Sequence, residues 1–255
     1  MVRPRVIPTL LLEDGGLIKT AKFKKPVYIG DPINAVKIFN DKEVDELILL
    51  DVTASIENRK PNFTQIEEIV SESFMPLGYG GGITNVADIE KLFKIGIEKA
   101  SLNTAAMLKP NLITEAANIF GSQSIVVSID VKKNLFGKKH VYINRASKNT
   151  KMDPVEFAKK AEALGAGEIY LTAVDREGTM QGYDLDLIRS VSNAVSIPVI
   201  ANGGAGSFEH FTEALRQANA SAVSAGSMFV FHGPLRGILI NYPEQEELKE
   251  KLYTT

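Results

Sequence analysis

The chain has 255 residues, 44% of them hydrophobic and 24% charged, with a net charge of −2; this is the balance of an ordinary soluble globular protein, with no electrostatic reason to expect nucleic acid or an anionic membrane as partner. Cysteine is absent, which excludes disulfides, thiolate metal sites and cysteine nucleophiles. The start Met1-Val2-Arg3-Pro4-Arg5 lacks signal-peptide features, and no apolar run approaches the roughly 20 residues that span a bilayer, so a cytoplasmic location is expected.

Short apolar runs alternate with longer amphipathic segments along the whole chain. The predicted strands are Val6–Leu11, Glu46–Asp51, Met75–Tyr79, Lys99–Leu102, Ile125–Asp130, Glu168–Ala173, Ile197–Ala201 and Ala222–Ala225. The predicted helices between them are Pro32–Asp41, Thr64–Ser73, Val86–Ile95, Pro110–Phe120, Pro154–Leu164, Leu185–Ala194, Phe208–Gln217 and Pro234–Ile240. Asp31, Asp153 and Ser207 stand where N-caps are expected, and Gly96, Gly121 and Gly165 fall just past helix ends. Lys132 to Lys151 is the longest interruption and reads as a rim loop. Strands that are mostly apolar throughout, each followed by a helix, indicate a parallel sheet covered by helices. Eight such units favour a closed (βα)₈ (TIM) barrel over an open doubly wound sheet.

A repeat strengthens this expectation. Glu46-Leu47-Ile48 recurs 122 positions later as Glu168-Ile169-Tyr170, and Met75-Pro76-Leu77 recurs as Ile197-Pro198-Val199. Gly81-Gly82 recurs within the Gly203-Gly204 run, and the Leu102–Ala105 turn falls opposite Ser224–Ser227. The expected organisation is one barrel domain over residues 1–255, made of duplicated half-barrels of about 1–122 and 123–245.

Barrels bind ligands at the C-terminal ends of their strands. Gly81 and Gly82 follow the third strand, and Gly203 and Gly204 the seventh; glycine lets backbone N–H groups come close to a phosphate. Asn103-Thr104 and Gly226-Ser227 would complete each grip. Two grips on opposite sides of one mouth suit a small molecule phosphorylated at both ends. Between them, Asp130 ending the fifth strand is the leading acid–base candidate, and Asp51, Asp175 and Glu177 hold similar rim positions. Aligning strand one with strand five puts Leu11 opposite Asp130, so one half carries an apolar side chain where the other carries a carboxylate. Lys19, Lys22, Lys24 and Lys25 lie in the long loop after strand one, readable as a basic lid or as a solvated loop. His140, His210 and His232 show no metal-ligand spacing, so no metal or cofactor is expected. Arg5, Glu46, Lys99 and Glu168 begin strands one, two, four and six; such a floor is either a structural salt-bridge ring or a polar gate for a small molecule.

The stretches Asp45–Ser55, Gly80-Gly81-Gly82-Ile83, Ser101–Ala106, Phe120–Gln123, Asp175-Arg176-Glu177-Gly178-Thr179 and Gly203–Gly206 resemble HisF, the cyclase subunit of imidazole glycerol phosphate synthase, over nearly the whole chain. The resemblance implies a HisH-type glutaminase docked on the floor, with ammonia passing through the barrel to a doubly phosphorylated formimino ribulosyl nucleotide. It implies that the glycine grips bind its phosphates, that Arg5, Glu46, Lys99 and Glu168 form the ammonia gate, and that Asp130 and Lys19 are catalytic. The family carries a second catalytic aspartate at the end of strand one, where this chain has Leu11. The run Ala225–Pro234 is similar to WbuZ-type paralogues of surface-sugar gene clusters, which implies delivery of ammonia to an N-acetyl sugar amidotransferase. Three readings therefore stand: an ammonia-channelling subunit for surface-sugar amidation, a histidine-pathway cyclase of the lyase class, and a non-catalytic scaffold that activates the glutaminase.

Overall fold

The apolar runs form strands that are buried on both faces; Glu168–Ala173 is buried at every position, as expected where helices cover one side and a packed interior the other. The computed structural model describes residues 3–253. Its barrel strands are β1 (Arg5–Glu13), β2 (Leu47–Asp51), β3 (Leu77–Gly80), β4 (Lys99–Leu102), β5 (Ile125–Lys133), β6 (Glu168–Ala173), β7 (Val199–Asn202) and β8 (Ala222–Ala225). Each pairs in parallel with the next, and β8 pairs with β1, so the sheet closes on itself. The surrounding helices are α1 (Pro32–Asp41), α2 (Phe63–Val70), α3 (Val86–Ile95), α4 (Asn111–Phe120), α5 (Pro154–Ala163), α6 (Leu185–Ser192), α7 (Phe208–Gln217) and α8 (Gln245–Leu248). This is a closed (βα)₈ barrel. Among the described residues no helix is long and apolar enough to cross a membrane.

Side chains alternate along each strand. Val6, Leu10 and Leu12 of β1 join the large core between sheet and helices. Ile7 points inward to meet Ile48, Val126, Tyr170, Ile200 and Ala222 within the barrel. Local chemistry sets the helix ends: Asp31 accepts from Asn34 N at 2.9 Å, Asp153 from Val155 N at 2.9 Å, and Gly96 caps α3 at φ +113°. Ser207 is extended at the start of α7, but its side chain makes no cap bond.

Three expectations are corrected. The segment after β1 is an antiparallel hairpin, Gly16–Ala21 against Lys24–Gly30, and not a loose loop. The polar stretch from Lys132 is likewise a hairpin: Lys132 pairs with His140 and Val131 with Val141, and Lys148–Asn149 adds a further short strand. No helix forms over Pro234–Ile240; Phe231–His232 pairs antiparallel with Gly237–Ile238 around a turn with Gly233 at φ +69°. The eighth helix starts only at Gln245, where Leu248 and Leu252 are buried.

Strand registers relate the two halves. Leu47 lies beside Leu77 and Ile169 beside Val199, an offset of 122 positions for both β2 and β3. On that frame Leu11 beside Leu50 matches Asp130 beside Thr172, so the two residues occupy equivalent strand ends. Further on, the sequence alignment shifts by one. Lys99 lies beside Gly78 and Ala222 beside Ile200, which makes Asn103 the counterpart of Gly226 and Thr104 that of Ser227.

Candidate functional site

The C-terminal ends of the strands surround a mouth of about 1140 Å³, partly open to solvent, in which both glycine grips take part. In the first, Gly81 (φ +125°) and Gly82 (φ +69°) leave β3 in left-handed conformations, and a Cβ on Gly81 would fall 2.4 Å from Asp51 O. In the second, Gly203 (φ +89°) and Gly204 (φ +119°) are equally constrained; a Cβ on Gly204 would meet Gly182 O at 2.1 Å. No other residue type fits these close approaches.

The grips differ in their hydroxyls. Thr104 Oγ1 donates to Asn144 Oδ1 at 3.1 Å and accepts from Asn144 N at 3.2 Å. Ser227, 4% exposed, has a buried hydroxyl without a partner. An unsatisfied buried hydroxyl costs about 1–3 kcal/mol, and an acceptor atom of a ligand would relieve it.

Lys19 sits within the second grip. It is buried on the hairpin strand, 3.5 Å from Glu177 Oε1, and a Cβ on Gly226 would fall 2.1 Å from its Nζ. Burial lowers its pKa from the ordinary lysine value, Glu177 opposes this, and Arg236 adds to it. Lys22, Lys24 and Lys25 are exposed around the hairpin turn. Glu177 also accepts from Thr20 Oγ1 at 3.0 Å and from Phe23 N at 3.3 Å, so the hairpin and the β6 loop are joined through one buried carboxylate.

Asp130 lines the mouth between the grips. Burial pushes its carboxyl up to about 7, with Glu177 adding to the rise; hydrogen bonds from Thr172 and Asn103 oppose it. A carboxyl near that value exchanges protons readily at neutral pH. Leu11, 5% exposed, faces the same space. The other rim carboxylates are committed elsewhere. Asp51 accepts from Thr53 N, Ala54 N and the Arg59 guanidinium. Asp175 lies outside the mouth and accepts from Lys133 N at 2.8 Å.

Below the mouth is a layer of hydroxyls. Tyr170 reaches from β6 to Thr9 Oγ1 at 2.7 Å and Ser224 Oγ at 3.2 Å, and Ser101 meets Ser128 at 2.5 Å. Deeper still is the floor. Arg5 donates to both Glu46 and Glu168, and Lys99 Nζ donates to the same two carboxylates at 2.9 and 2.8 Å. The four charges form a ring of alternating sign. Opposition from Glu168 and Glu46 outweighs the lowering effect of burial and holds the Arg5 guanidinium above its usual value.

Of the histidines, His140 and His210 are tied to Asn149 and to Gly206 N, and His232 is exposed on the last hairpin. Among the described residues no group of His, Asp or Glu is placed to hold a metal ion. Two features escaped the sequence. Arg145, on the second hairpin, lines the mouth and pairs with Glu13 at 2.9 Å. The hydroxyl layer is built from residues scattered over five strands, so only the alternation of buried strand positions could have assembled it.

The family described as "Histidine biosynthesis protein" matches residues 5–235. The chain belongs to this family. It is 50% identical over 248 residues, covering 97% of this chain and 99% of the relative, to the "Putative imidazole glycerol phosphate synthase subunit hisF2" of Pseudomonas aeruginosa. It is 47% identical over 253 residues, 99% of this chain and 97% of the relative, to the "Putative imidazole glycerol phosphate synthase subunit hisF3" of Vibrio vulnificus. The "Imidazole glycerol phosphate synthase subunit HisF" of a Hydrogenobaculum species is 45% identical over 231 residues, 91% of this chain and 92% of the relative. The family match begins at Arg5, the first member of the floor ring, and ends beyond β8, so every strand that shapes the mouth lies inside it.

Proposed function

We propose that this HisF-like chain is the synthase-type subunit of a glutamine amidotransferase. A HisH-type glutaminase docks on the floor, ammonia enters through the ring of Arg5, Glu46, Lys99 and Glu168, and the mouth holds a ligand with phosphate at both ends. Gly81, Gly82, Asn103 and Thr104 take one phosphate; Gly203, Gly204, Gly226 and Ser227, with Lys19 beside them, take the other. The ammonia serves amidation of a surface sugar through a sugar amidotransferase.

The observation that carries this reading is Leu11, buried at the strand end equivalent to Asp130. A leucine transfers no proton, and one general acid–base partner typically contributes 10²- to 10⁴-fold to a rate. The purified chain, supplied with ammonium salt and the doubly phosphorylated formimino ribulosyl nucleotide, is therefore expected to form imidazole glycerol phosphate at least about 100-fold more slowly than a HisF with both aspartates. A comparable rate overturns the reading.

A second reading, a working histidine-pathway cyclase, is favoured by Asp130 itself, whose pKa near 7 suits a proton carrier. On this reading Asp130 acts with Lys19 and Glu177. Leu11→Asp separates the two readings: a marked gain in ammonium-dependent turnover favours the first, and no gain over a wild-type rate already normal for HisF favours the second.

A further inference from the structure

Lys19 and Arg145 are the two cations among the described residues that line the mouth. Lys19 belongs to the second grip through its approach to Gly226. Arg145 lines the mouth from the turn that contacts the first. Its neighbour Asn144 exchanges two hydrogen bonds with Thr104 Oγ1, which seats the hairpin turn directly on that grip. Asn144, Arg145 and Ala146 have φ of +53°, +53° and +54°. Three consecutive left-handed residues, none of them glycine, persist only where their surroundings over-determine them. Thr104 holds one end of this turn, and the pairing of Arg145 Nη1 with Glu13 Oε2 at 2.9 Å holds its long side chain inward.

The pairing is incomplete in two respects. Both side chains are largely covered, 17% and 22% exposed, yet Glu13 Oε2 lacks a hydrogen bond of good geometry. Among the described residues no second acceptor meets the rest of Arg145's planar fork of five N–H donors. A phosphate dianion offers three acceptor oxygens and more charge than a carboxylate, in a geometry that a guanidinium meets with two parallel bonds.

We propose that Arg145 is the anion-binding cation of the first grip: it exchanges Glu13 for the ligand's phosphate, as Lys19 serves the phosphate at the other end. Glu13 is then a built-in competitor that keeps the guanidinium oriented until the anion arrives. Each grip has one cation, supplied by a hairpin inserted after β1 in one case and after β5 in the other, the two strands that are counterparts in the halves. The inference rests on the reading that the mouth binds phosphate at both ends.

The test is calorimetric titration of the full chain, in ammonia-free buffer, with the formimino ribulosyl nucleotide and separately with inorganic phosphate. Arg145→Ala is expected to weaken nucleotide binding by roughly 10- to 100-fold, the range of a charge-assisted hydrogen bond; Arg145→Lys should recover part of the loss. Glu13→Gln is expected to change affinity in the opposite sense, tightening binding several-fold, because the competitor is gone. Equal binding by wild type and Arg145→Ala overturns the role of Arg145 and leaves the two-phosphate reading intact. Weaker binding by Glu13→Gln also overturns it, since the pair would then be a structural strap. A wild-type chain that binds neither probe overturns both.

Discussion

Asp130 and Leu11 hold equivalent strand ends, and the difference between them has an energetic consequence. Burial pushes the Asp130 carboxyl from the ordinary carboxylate range up to about 7. A carboxyl whose folded pKa lies above its unfolded value binds its proton more tightly when folded, so stability falls as pH rises from about 4 to about 7 and stays reduced above that. A rise of that size corresponds to at most about 4 kcal/mol, and water in the open mouth reduces that figure. Asp130→Asn is expected to raise stability at pH 8 by about 2 kcal/mol and to leave it nearly unchanged at pH 4, read from urea unfolding at each pH. A variant equally stabilised at both pH values would show that charge burial at this position is not the cause. A leucine at the other strand end carries no such penalty.

Among the elements, the barrel strands were plain in the sequence because burial on both faces demands apolar runs, and the helices because their caps and periods are local signals. The hairpins were not. Lys19 looked like part of a solvated loop because lysine is rarely buried; it is buried here because Glu177, distant in sequence, accompanies it. The turn signal Asp14-Gly15, with both residues at positive φ, marks the point where Gly16–Ala21 folds back antiparallel on β1. In the last segment, Pro234 suggested a helix start, whereas Gly233 and Gly237 on either side of it favour a hairpin turn. Both glycine grips were legible from their spacing and Lys19 through the family resemblance, but Arg145 was not, since strand pairing of the inserted segment decides its position. The approach of Lys19 to Gly226 gives this scale its prediction. Gly226 has φ −114°, so its backbone accepts alanine, but the new Cβ would occupy the space 2.1 Å from Lys19 Nζ. Gly226→Ala is expected to expel the ammonium from the second grip and weaken inorganic phosphate binding about 10-fold. Its melting temperature should fall by only a few degrees, as expected for roughly 1 kcal/mol in a domain of this size. Unchanged phosphate affinity would show that the ammonium does not serve the grip.

At the scale of the whole molecule, the interior is stratified along the barrel axis: charged ring, apolar layer, hydroxyl layer, then mouth. Charges in the lowest layer are tolerated because each carboxylate meets two cations. Glu46 and Glu168 have side chains only 3% and 5% exposed, while Arg5 and Lys99 keep 29% and 20%. The carboxylates thus bear the desolvation, and their stability depends on both cations at once. Lys99→Met leaves two buried carboxylates sharing Arg5, and breaking such a pair from one side costs about 3 kcal/mol. Adding Glu46→Gln to that variant removes the surplus negative charge, leaving Arg5 paired with Glu168. If the four side chains act as one unit, the double variant is therefore expected to be more stable than Lys99→Met alone, by about 1–2 kcal/mol in urea unfolding, although it carries one more substitution. Losses that simply add would mean four independent contacts. A ring that behaves as a unit can open only when several bonds break together, which is what the gate proposed above needs.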